Sequence, residues 1–68
     1  MRLGKEAHMV LSAVMLGVLR SGPIHYYYYY VGERDVTPMV YRLVHRGLLA
    51  RDGVRSRVTL TKLGYDSL

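Results

Sequence analysis

Arg42 and Arg46 stand four residues apart, so on a helix their guanidinium groups stack along one face with His45 and Met39 beside them. That combination suits the edges of base pairs in a DNA major groove. A guanidinium fork donates bidentately to guanine, and an apolar side chain such as Met39 meets a thymine methyl. Arg55 and Arg57 fall at the tip and exit of a short loop. There they fit a narrow minor groove or the sugar–phosphate backbone, while Arg51 and Lys62 fit as phosphate anchors. Thr37, Pro38 and Tyr41 on the same helix, and Ser56 in the same loop, complete the expected set of contacts to double-stranded DNA. The competing account of each basic group is a solvated surface that reads nothing.

Catalytic chemistry finds no such support. His8, His25 and His45 fall on three different elements without metal-ligand spacing or an accompanying acidic pattern. The serines lack the context of an activated nucleophile, and no glycine-rich phosphate loop occurs. The expectation is a non-enzymatic chain with no metal and no small-molecule cofactor.

The basic residues need a scaffold, and the spacing of apolar residues supplies one. Ala7, Val10, Leu11, Val14, Met15 and Val18 recur at three- and four-residue steps, which predicts an amphipathic to largely buried first helix ended by Ser21-Gly22-Pro23. Thr37-Pro38 marks a second helix start, with a hydroxyl able to cap and a proline at the first helical position. Val36, Val40, Leu43, Val44 and Gly47 then share the inner side through Arg46, and Gly47 stops the helix. Leu48–Arg51 and Arg57–Leu60 around Asp52-Gly53 read as a β-hairpin with Val58 and Leu60 inward. Thr61 is placed to cap a last turn at Lys62-Leu63-Gly64. Between these elements lie five consecutive tyrosines, Tyr26 to Tyr30, which have no alternation to distinguish strand from helix. Either way some of these rings face solvent or a partner.

Sixty-eight residues, half of them hydrophobic, allow one small domain and argue against disorder. Without cysteine, neither disulfides nor thiolate metal sites staple it. The net charge of +5 favours a polyanionic partner. Its distribution is uneven: residues 1–33 balance at +1 and residues 34–68 at +4, and Arg outnumbers Lys eight to two. The apolar stretch from Ala7 to Leu19 is shorter than a spanning helix of roughly 20 residues and lacks a signal-peptide cleavage pattern, so no membrane association is expected.

The segment 41–64, YRLVHRGLLARDGVRSRVTLTKLG, resembles the end of the recognition helix and the wing of MarR- and PadR-type transcription regulators. Arg46-Gly47-Leu48-Leu49 and Leu60-Thr61-Lys62-Leu63-Gly64 carry the likeness, with a basic turn between them. It covers about residues 36–64 and is poor over Tyr26 to Arg34. The resemblance implies an α+β winged helix-turn-helix, three helices plus a C-terminal β-hairpin wing, over residues 1–68. It further implies a DNA-binding regulator, dimeric and cytoplasmic. The Thr37–Arg46 helix is about a turn shorter than usual in these families, and the chain reads to Leu68 where those regulators continue into a long dimerising helix. A homodimer is therefore expected to use the first helix or the tyrosines. The alternative from another class is a winged-helix protein-interaction module that docks through Tyr26–Tyr30.

Overall fold

The computed structural model describes residues 3–22 and 27–68. Its elements run α1 (Lys5–Leu16), β1 (Leu19–Ser21), β2 (Tyr29–Val31), β3 (Arg34–Asp35), α2 (Thr37–His45), β4 (Leu49–Asp52), β5 (Arg57–Leu60) and α3 (Lys62–Asp66). This is an α+β fold with three helices and two antiparallel sheets, one ordered β1-β2-β3 and the other the β4-β5 hairpin.

Both long helices bury one apolar face against the same core. Val10, Leu11, Val36, Val40, Leu43 and Leu48 are fully buried, joined by Ala7, Tyr29 and Leu49. Hydrophobic burial of these side chains, rather than helix propensity, holds elements this short. The second helix follows the expected pattern except that Gly47, expected inside, is exposed and Met39, expected on the outer face, packs partly on the core. Val40 and Leu43 face the core, Arg42, His45 and Arg46 are exposed, and Tyr41 lies at the boundary. Its end is a Schellman motif: Leu48 N donates to Leu43 O, Gly47 N donates to Val44 O, and Gly47 takes the left-handed φ of 80°. The hairpin also matches, with Val58 and Leu60 half-buried and Arg57 and Thr59 exposed.

Four expectations need correction. The first helix ends at Leu16, not at Ser21-Gly22-Pro23. Gly17 at φ 75° lets Val18 N reach Ala13 O and Gly17 N reach Val14 O, which closes the helix early and releases Leu19–Ser21 into a strand. Val18 and Met15, expected on the buried face, are about half exposed. The described part of the tyrosine run enters a strand, and Tyr26 lies outside the described residues. Among the described residues no helix stands directly before α2. Gly32, at φ 61°, turns β2 back into β3, which runs straight into α2. The third helix is the C-terminal turn expected after Thr61, whose Oγ1 accepts from Gly64 N at 3.0 Å. Finally, the Thr37 hydroxyl does not cap α2. It accepts from Tyr29 N at 2.8 Å and donates to Tyr29 O at 3.3 Å, so it ties the helix start to β2. The Asp35 carboxylate does the capping, accepting from Thr37 N at 2.9 Å.

Candidate nucleic-acid interface

The outer face of α2 presents the largest group of expected contacts. Pro38, Arg42, His45 and Arg46 are exposed, and Thr37, Met39 and Tyr41 are half-buried. Met39 packs against the core cluster and offers only part of its surface. Tyr41 donates its hydroxyl to Tyr27 O at 2.9 Å, so its ring is held while one edge stays accessible. At the N-terminal end, hydrogen bonding from Thr37 holds the Asp35 carboxyl below its ordinary value. A carboxylate at that end and basic residues in the last turn both complement the helix dipole.

The hairpin carries the second group. Arg55 and Arg57 are exposed, with Arg57 directly across from Asp52 in the β4-β5 register. Asp52 also accepts from Val54 N at 2.9 Å, an Asx turn that shapes the tip. The residue with left-handed backbone is Ser56, at φ 56°, not Gly53. A non-glycine residue there is uncommon, and its surroundings account for it. Ser56 O accepts from the Tyr29 hydroxyl at 2.9 Å, and Ser56 Oγ accepts from Arg51 Nη2 at 3.1 Å. Ser56 is buried, so its hydroxyl belongs to the fold and not to an outward face.

Arg51 is likewise drawn inward. Its Nε donates to the Tyr29 hydroxyl at 2.6 Å, and the guanidinium lies 5.5–5.9 Å from the ring centres of Tyr41, Tyr27 and Tyr29. The hydrogen bond with Tyr29, more than any other neighbour, raises the guanidinium pKa above its already high ordinary value. Its charge is therefore fixed, and it joins the tyrosines to the hairpin. Lys62 stays exposed on the first turn of α3.

The structure thus places Arg42, His45 and Arg46 together on α2 and Arg55 with Arg57 on the hairpin, while α2 packs on β4 and links the two. It withdraws Ser56 and engages Arg51. Elsewhere Arg34 is paired, its Nη2 2.8 Å from Glu6 Oε2, so part of the positive charge counted for residues 34–68 is neutralised by α1. Sequence reasoning misses two residues. Val54 is 92% exposed at the hairpin tip beside Arg55, a signal available from its position in a loop with no core face. Tyr29 positions the hairpin, and nothing in a run of identical residues distinguishes it from its neighbours. Comparison with protein-family models, curated proteins and solved structures finds no match.

Proposed function

We propose that this chain is a winged-helix DNA-binding protein that acts as a transcriptional regulator, with α2 in the major groove and the β4-β5 hairpin on the adjacent backbone or minor groove. The observation that carries it is the pairing of a short, well-terminated helix whose exposed face holds Arg42, His45 and Arg46 with a packed hairpin whose tip and exit hold Arg55 and Arg57. The groups differ in role. Arg42 and Arg46 suit base edges, whereas Arg55 and Arg57 suit phosphates or a narrow minor groove, with Val54 against sugars.

Selection of bound sites from a random duplex library tests this reading. Arg42→Ala and Arg46→Ala are each expected to weaken binding to a selected site by about 1–3 kcal/mol and to relax preference at defined positions. Equal losses on every duplex would reduce both residues to phosphate contacts. No enrichment of any sequence, with no salt-dependent binding, would remove DNA as the partner.

A dimer belongs to the same reading, through α1. Met15, Leu16 and Val18 are 48%, 70% and 48% exposed, and Met15 meets Tyr65 of α3 across a shallow apolar groove. Two copies joined there would present two α2 helices to half-sites about one helical turn apart. Thermal stability should then rise with protein concentration. A folded monomer at micromolar concentration with a concentration-independent melting temperature would defeat the dimer alone. The rival reading, a protein-docking module, draws on the exposed rings of Tyr27 and Tyr28. Complexes made through them would resist salt, whereas phosphate contacts weaken steeply as salt rises.

A further inference from the structure

The two sheets leave strand edges on either side of one groove. In β1 the bond from Gly22 N to Tyr28 O marks 22–28 as a hydrogen-bonded pair, so the antiparallel alternation makes Arg20–Tyr30 the next. The amides and carbonyls of Leu19 and Ser21 therefore point away from β2. The bond from Thr61 N to Leu48 O sets the other hairpin in the same way: Arg57 and Thr59 pair with β4, and Val58 and Leu60 turn their backbone groups outward. Among the described strands, β1 and β5 each have a neighbour on one side only. Leu19 and Ser21 of β1, and Val58 with Arg57 of β5, line the same cavity of about 350 Å³. That is within the range of ligand-sized clefts, ~300–1,000 Å³.

The chemistry of the groove selects its occupant. Val14, Leu19 and Val58 give it apolar walls, Arg55 and Arg57 stand along it, and among the described residues no carboxylate lines it. We propose that this groove takes up an extended acidic peptide as an added strand between β1 and β5, its backbone pairing with the Leu19, Ser21 and Val58 edges and its carboxylates meeting Arg55 and Arg57. A strand bound this way gains main-chain hydrogen bonds from edges with a strand neighbour on one side only, and side-chain selectivity from the two guanidinium groups. The inference does not depend on DNA binding, although it uses two of the same arginines.

Titration of the whole chain, without DNA, with a blocked hexapeptide of alternating Glu and Val tests it by amide hydrogen exchange. Leu19, Ser21 and Val58 amides should slow by at least about tenfold while Arg20, already paired with β2, does not change. The double variant Arg55→Gln/Arg57→Gln, altered only at exposed side chains, should bind about tenfold more weakly. A peptide N-methylated at its pairing amides should fail to bind. Equal binding of the Lys–Val counterpart, equal binding of the methylated peptide, or unchanged exchange at Leu19 and Ser21 would each overturn the proposal.

Discussion

Replacing Tyr29 by Phe removes one oxygen atom, and the structure says what that atom holds. Tyr29 is 1% exposed. Its hydroxyl donates to Ser56 O, 27 residues away, and accepts from Arg51 Nε. Without it a buried backbone carbonyl loses its donor, which costs about 1–3 kcal/mol. The Arg51 guanidinium loses a bond too, but it is only half-buried and water substitutes in part, so roughly another 0.5–1 kcal/mol follows. The ring itself keeps its packing, including the edge-on contact with Tyr41 at 5.9 Å between centres. The expected loss is therefore about 1.5–4 kcal/mol, against a total of roughly 3–10 kcal/mol for a chain of this length. In a domain this small it lowers the melting temperature by roughly 6–30 °C, read by circular dichroism. The hairpin should register the change first, with faster amide exchange around Ser56. A double-mutant cycle with Arg51→Met should return a coupling on the order of 1 kcal/mol. A Tyr29→Phe protein that melts within about 4 °C of the parent would refute the claim that this hydroxyl fixes the hairpin to the sheet.

Two further changes probe the remaining elements. Arg55→Ala with Arg57→Ala should lower DNA affinity on all duplexes and reduce the slope of log affinity against log salt by about one for each phosphate the hairpin no longer neutralises; an unchanged slope would take the hairpin off the DNA. At Gly64, an added Cβ would overlap the carbonyl oxygen of Leu48, a backbone atom that cannot rotate away. Gly64→Ala should therefore destabilise by about 1–3 kcal/mol despite alanine's better helix propensity, and a neutral or stabilised variant in thermal melts would show that α3 does not dock on Leu48 as described.

The parts of this fold legible in the sequence are those where two local signals agree. Gly47 after a periodic apolar face marks the end of α2, and alternation on Arg57–Leu60 with turn residues before it marks β5. The pattern Leu60-Thr61-Lys62-Leu63-Gly64 has a physical content that the structure supplies: Thr61 caps α3, and Gly64 lets α3 approach Leu48. A single signal misleads. The apolar period continues past Gly17 to Val18 and outweighs the glycine on the page, yet the left-handed turn at Gly17 ends the helix. Thr37 before Pro38 has the form of a cap, but its hydroxyl goes to a β2 backbone that no local pattern announces. The tyrosines have no signal at all, since five identical residues carry no period.

That gap has a consequence for the proposed DNA-binding surface. The basic residues at Arg42, Arg46, Arg55 and Arg57 are readable from type and spacing, but their usefulness depends on how α2 and the hairpin are set against each other. Part of that setting runs through Tyr29: its backbone meets Thr37 at the start of α2, its hydroxyl meets Ser56 at the exit of the hairpin turn, and its ring lies against Arg51 and Tyr41. One buried tyrosine therefore touches the helix, the hairpin and the sheet at once. A perturbation there should shift both arginine pairs together, whereas an arginine substitution removes one charged group of the proposed DNA surface and leaves the frame intact. Tyr29→Phe should accordingly weaken binding to a selected site and to a random duplex by different factors, because relative placement matters for base edges held at fixed geometry more than for phosphates, which tolerate displacement. An equal loss on both would mean that the tyrosine acts on stability alone.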